Sequence, residues 1–238
     1  MTTQVTLGDI SVDVVFKDIK NIHLCVYPPS GRVRISAPLR TSLDTVRLFA
    51  ISKLAWIKHQ QKKLYAQERE TPREYLDRES HYVWGKRYLL NIMEEDAAPD
   101  LALRHSRMEL RVRHGTNADG MKAIVAQWYR DQIKATLPEL ITRWEPILGV
   151  SVKRYFVQRM KTKWGGCNPL ERTIRLNTEL AKKPRECLEY VFFHELIHLL
   201  EPHHNDRFTA LMDAHLPHWR DLRTLLNSAP LGHETWNY

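Results

Sequence analysis

A chain of 238 residues, 43% hydrophobic and 27% charged with nine glycines and twelve prolines, has a globular composition and length enough for a substantial core, which excludes disorder and mini-protein scaffolds. Three widely spaced cysteines, Cys25, Cys167 and Cys187, form no CxxC and argue against a disulfide framework, in keeping with a reducing compartment. The formal charge of +8 attracts polyanions, so nucleic acid is a possible partner through a basic surface, although a basic solvated face gives the same number.

The opening MTTQVTLGDI lacks the basic start and apolar segment of a signal peptide. The longest apolar run, Val191 to Leu200, is broken by His194, Glu195 and His198, so a cytoplasmic protein without a membrane span is expected. VTLGDISVDVVF, IHLCVY and RVRISA alternate as strands of an antiparallel meander, with Pro28, Pro29 and Gly31 as turn residues. From Ser42, a plausible N-cap, to about Glu70 the apolar positions recur at helical spacing.

Two hairpins come next, one turning at Gly85-Lys86 and one near His105-Ser106. Residues 117 to 148 return to helix, with Ile124, Trp128, Ile133, Leu137, Ile141 and Trp144 inward and Pro138 as a kink or break. VSVKRYFVQ and TIRLN read as strands flanking the loop RMKTKWGGCNPLE. Pro184 opens a helix to about Glu201, where Pro202 stops it; a second helix starts at Asn205 or Asp206, and a last one runs from about Pro217 to Leu226. No internal sequence repeat is visible.

The helix before Pro202 carries the chemistry. His194 and His198 are four apart, so they project from one helical face in the geometry that lets two imidazoles hold one ion. Glu195, next to the first, can reach water on the ion without ligating it: the H-E-x-x-H arrangement of zinc peptidases. A catalytic zinc usually takes a third protein ligand. His204, ten residues after His194, has metzincin spacing without the metzincin glycine, and His203 and Glu201 compete with it. Cys167 is expected to be a small buried group rather than a nucleophile. His215 can point toward the metal from the next helix or be a core histidine.

QRMKTKWGGCNPLERTIRLNTEL and EYVFFHELIHLLEPHHNDRF together resemble the YgjP-like metal-dependent hydrolases, a zincin group related to SprT-type peptidases. Arg159, Trp164, Gly165, Cys167, Leu176-Asn177, His194, Glu195, His198, His204 and Arg207-Phe208 carry the match. Gly166, His203 and Thr209 depart from it where Ser, Asn and Trp are usual, and these departures bear on substrate contacts. The resemblance implies His204 as third ligand, Zn²⁺ as cofactor and Glu195 as catalytic acid/base. It also admits two substrate classes, peptides and nucleoside triphosphates, UTP in particular.

The chain around WGGC, or TIRLN, can offer a substrate an edge strand, with Gly165 and Gly166 permitting close backbone approach. Arg154, Arg159, Lys161 and Lys163 can hold phosphate or simply face water. Trp164, Arg207 and His215 complete the candidate substrate-binding set, and Arg207, His215 and Tyr190 are candidate oxyanion donors. The expected class is α+β: a strand-rich part, residues 1–119 with one long helix, then a zincin-like part, residues 120–238, with a small sheet and the HExxH helix. The expected activity is zinc-dependent peptide hydrolysis; the alternatives are nucleotide pyrophosphatase chemistry and a nucleic-acid module with a structural metal.

Overall fold

The computed structural model describes residues 2–27, 30–66, 73–160 and 163–228. Pro28, Pro29, Lys161 and the expected helix end at Glu70 lie outside the described residues. The chain is α+β and divides into two compact units, the described residues of Met1–Pro72 and those of Arg73–Ala229. The expected division at 119/120 falls inside the second.

The first unit holds β1 (Thr2–Leu7), β2 (Ile10–Lys17), β3 (His23–Tyr27), β4 (Arg32–Pro38), α1 (Leu43–Ser52) and α2 (Leu54–Ala66). Alternating valines and isoleucines put Val12, Val14, Val33 and Ile35 on one sheet face, where Val46 and Ala50 of α1 and Ile57 of α2 cover them. Ser42 caps α1 by accepting the Thr45 N–H at 3.2 Å, and Lys53 interrupts the expected single helix. The sheet order is β1-β2-β4-β3. The central pair β2/β4 is parallel, a correction to the expected meander: β3 lies outside β4, so β4 returns in the direction of β2.

The second unit repeats that topology. Its strands β5 (Ser80–Val83), β6 (Lys86–Glu94), β7 (Asp100–Arg104) and β8 (Arg107–Val112) are ordered β5-β6-β8-β7, again with a parallel central pair. Trp84 and Gly85 both take positive φ, +49° and +78°, as the tight β5–β6 turn requires. This turn is anchored to the segment around Ala181–Pro184. The Trp84 N–H donates to the Ala181 carbonyl at 2.8 Å, and a Cβ on Gly85 would meet Pro184 Cγ at 3.0 Å. These contacts explain why no unit boundary falls at 119/120: the sheet of β5–β8 shares its core with the later helices.

α3 (Ala118–Leu148) runs continuously through Pro138, capped by Asn117 and closed by Gly149 in the left-handed conformation. It turns Val125, Tyr129, Ile133, Leu137 and Trp144 inward. Then come β9 (Arg154–Gln158), β10 (Gly165–Asn168) and β11 (Thr173–Asn177), ordered β10-β11-β9. β10 lies within what reads as a loop; Gly-Gly-Cys-Asn has little strand propensity, and antiparallel pairing with β11 makes it a strand. A 3₁₀ segment, Thr178–Lys182, leads to α4 (Arg185–Ile197), α5 (Asp206–His215) and α6 (Trp219–Ser228).

α4 is apolar nearly all round and is buried accordingly. Phe193 meets the Trp144 ring of α3 at 4.5 Å, and Phe192 stacks on Tyr155 of β9 at 5.6 Å. The helix ends at Ile197 rather than Glu201. Leu199 and Leu200 donate to carbonyls three residues back, which tightens the last turn before Pro202.

Ile174, central in β11 and fully buried, is expected to lower the unfolding free energy by about 2–5 kcal/mol when changed to Ala, measured by denaturant titration.

Candidate metal centre

His194 lies in the last turn of α4, and His198 is its C-cap with helical backbone angles, so the four-residue spacing still brings the two rings together edge to face, with centroids 4.8 Å apart. The chain then turns back. The buried Glu201 accepts from Asn205 Nδ2 at 2.9 Å and pairs with Arg207 at 2.8 Å. Asn205 in turn caps α5 by accepting the Phe208 N–H at 2.9 Å. This bracing holds the loop that carries His204.

The result is convergence. His194 Nε2 lies 3.2 Å from His198 Nε2 and 3.1 Å from His204 Nε2. One ligand nitrogen from each ring falls within 4.8 Å of the others, and His203 is outside this group. Phe208 lies beneath all three rings, at 4.9, 5.0 and 4.6 Å from the centroids of His194, His198 and His204.

Hydrogen bonding accounts for the arrangement only through one N–H shared between two acceptors. His198 Nδ1 lies 2.9 Å from the Glu201 carbonyl, which only accepts, so Nδ1 carries the proton and Nε2 presents its lone pair. His194 Nε2 has a single proton or a single lone pair and faces two nitrogens at once. A cation accepts all three lone pairs, so the donor set fits a metal ion. Burial, reinforced by charge on His198, His204 and Arg223, pushes the His194 imidazole down to about 3, so it keeps its lone pair well into acid.

The Glu195 side chain lies in the seam between α4 and β10. A Cβ on Gly165 would meet Glu195 Oε1 at 2.7 Å and Val191 Cγ1 at 2.8 Å, so only glycine leaves the carboxylate room. Burial pushes the Glu195 carboxyl up to about 7, against the opposing pull of the Lys163 ammonium. Cys167 faces the same side of β10 as Gly165; burial, then the Glu195 charge, pushes its thiol up to about 11, which keeps it un-ionised.

Asn177 places the approach to β10. Its side chain donates to the Met160 and Lys163 carbonyls at 2.8 Å each and accepts from Met160 N–H, while its own N–H donates to the Trp164 carbonyl at 2.9 Å.

The other sequence-predicted residues divide. Gly165 and Lys163 stand beside Glu195. Gly166 faces away, and a side chain there would meet only Met160 at 3.8 Å. Trp164 is half-buried against the core, with the Lys183 ammonium over its ring at 5.9 Å. Arg159 directs its charge at Tyr75 and Glu179. Arg207 braces Glu201. His215 packs edge-on against Phe193 and Trp144, at 5.7 and 6.3 Å, as a core histidine does. Of the edge-strand candidates, β11 is central in its sheet and β10 is the edge. Two further residues belong to the centre: Asn205, legible in the sequence as a helix start, and Phe208, legible as a core position and as part of the family match.

Convergent imidazoles, a buried carboxylate beside the first and an adjacent edge strand are the equipment of a metal-dependent hydrolase. The sequence matches the family model of the YgjP-like metallopeptidase domain over residues 20–229, and the chain belongs to that family. Membership implies a catalytic metal. No curated protein matches the chain. Among solved structures, the metallopeptidase zymogen of Pyrococcus abyssi abylysin is similar at 19% identity and a TM-score of 0.35, over 37% of this chain and 90% of that one.

Gly165→Ala is expected to displace Glu195 and cost about 1–3 kcal/mol of stability, read from denaturant unfolding. Glu195 also predicts a pH dependence. Its folded carboxyl keeps its proton to about 7 whereas the ordinary value is 4.5, so the residue costs stability as pH rises through that interval and nothing below it. In chelator-treated protein, Glu195→Gln should therefore raise the unfolding free energy by roughly 2–3 kcal/mol at pH 8 and by much less at pH 4.

Proposed function

We propose that this chain is a zinc-dependent peptidase in which His194, His198 and His204 hold the ion and Glu195 is the general base and acid. The observation that carries the reading is the convergence of three Nε2 atoms on one point beside the Glu195 helix turn. Two nitrogens bound to one tetrahedral zinc at ~2.0–2.1 Å lie about 3.3 Å apart, close to the spacings of 3.2 and 3.1 Å found here. All-imidazole donor sets suit zinc among the available divalent ions.

When bound, zinc lowers the pKa of a water toward 7 and polarises the scissile carbonyl. The protein's own residues supply the rest. Glu195 accepts the proton of the attacking water at a carboxylate oxygen and delivers it to the leaving amine nitrogen; a carboxyl poised near neutrality serves both transfers. The Glu201 carbonyl holds His198 in the tautomer whose Nε2 is free to ligate. β10 has one side paired with β11 and offers the other to an extended peptide, which would lie along the strand that shapes the Glu195 seam.

The nucleotide alternative draws on the basic run, and of that run Lys163 is the residue whose charge reaches Glu195. No helix among the described residues is long and apolar enough to cross a membrane.

Metal analysis of purified variants should find stoichiometric zinc in wild type and His203→Ala and loss of it in His204→Ala. Glu195→Gln should keep its zinc while turnover of an unfolded-protein substrate falls by about 10²–10⁴. Full activity in that variant would overturn the assignment, and release of pyrophosphate from nucleoside triphosphates without proteolysis would replace the peptidase reading with the nucleotide one.

A further inference from the structure

Arg223 belongs to no sequence motif, yet the fold brings it to the metal centre. α6 packs on α4, with Leu226 buried and Leu222 and Trp219 against the shared core. The position of α6 is set by Trp219, whose ring lies nearly parallel to that of Tyr190, 12° between planes at 6.4 Å. Trp219 is itself held from two sides: its indole N–H donates to Asp213 at 2.7 Å, and the Arg220 guanidinium, paired with Asp213, lies over its ring at 4.5 Å.

Helical spacing then places the next residues. Tyr190 is one turn before His194 on α4, and Arg223 is one turn after Trp219 on α6. With Trp219 stacked on Tyr190, Arg223 lies one turn from that contact on the helix packed against α4. Its charge is felt at Tyr190, His194 and His204.

Neighbouring arginines are occupied: Arg207 by Glu201, Arg220 by Asp213, Arg143 by Glu189. Arg223 has no carboxylate or hydrogen-bond partner among the described residues. Lys163 stands near Glu195 and likewise has no ion-pair partner among them. A cluster of lone pairs that takes a dication, flanked by two uncompensated cations and one carboxylate, is a site with surplus positive charge. Such a field favours an anionic ligand. A guanidinium in particular matches the planar, two-oxygen geometry of a carboxylate.

We propose that Arg223 is a specificity determinant that holds a carboxylate of the peptide substrate beside the scissile bond. The carboxylate comes either from an Asp or Glu side chain or from a free C-terminus. This inference rests on the peptidase reading.

The test uses the full-length, zinc-loaded chain and two matched peptide pairs: Asp against Asn at the positions flanking the cleaved bond, and a free C-terminal acid against the C-terminal amide. For each pair two quantities are measured: kcat/KM in the active protein, and peptide binding by fluorescence anisotropy in the Glu195→Gln background, where no turnover is needed. Wild type is expected to prefer the carboxylate member of one pair by at least ~10-fold in both readouts. Which pair responds identifies the source of the carboxylate. Arg223→Ala should bring the ratio to about 1 with zinc content unchanged, and Arg223→Lys should restore part of it.

Equal handling of acid and amide by wild type, or a preference that survives Arg223→Ala, overturns the proposal and leaves the peptidase reading intact. Arg223-dependent binding of the acidic peptides without cleavage of any peptide sustains Arg223 as a carboxylate site and overturns the peptidase reading instead.

Discussion

Everything at this centre depends on three imidazole nitrogens brought to one place, two from the end of the buried helix α4 and one from the loop beyond it. Ionisable groups in α4 would ordinarily cost several kcal/mol each if buried without partners. His194 and Glu195 are tolerated by opposite means. His194 stays neutral and keeps its lone pair, and Glu195 holds its proton to near neutral pH. Under the proposed reading each adjustment suits its position: a neutral ligand and a base whose proton affinity matches the medium.

The surrounding fold makes this arrangement rigid. The β5–β6 turn is hydrogen-bonded to the residues just before α4, and Asn177 ties the approach to β10 through its side chain and its own N–H. Glu201 joins the second and third histidines: its carbonyl fixes the ring of His198, and its carboxylate, through Asn205 and Arg207, fixes the loop bearing His204. The centre is therefore assembled from the end of one helix and the start of the next, with an edge strand alongside.

How much of this is legible in the sequence depends on the range of the interaction. Local features read well. The spacing of His194 and His198, the cap at Ser42, and the tight turns at Gly85 and His105 are each dictated within a few residues. Features set by distant partners do not. β10 is a strand only because β11 pairs with it, and the parallel pairs β2/β4 and β6/β8 depend on a third strand lying outside the second. The shared strand order of the two four-stranded sheets is invisible as a sequence repeat because alternation alone does not specify pairing. The same holds at the centre. Nothing near Arg223 in the chain signals that its helix faces α4, and nothing near Arg159 signals that it faces Glu179 instead.

Phe208 gives the centre a further property. A single benzyl ring touching three imidazoles removes most of the torsional freedom those side chains would otherwise have, so the cost of ordering them is met during folding rather than at ion capture. An ion bound there, as proposed, would meet nitrogens already at ligand spacing, and that spacing is tied to the integrity of a hydrophobic contact that itself offers no ligand atom.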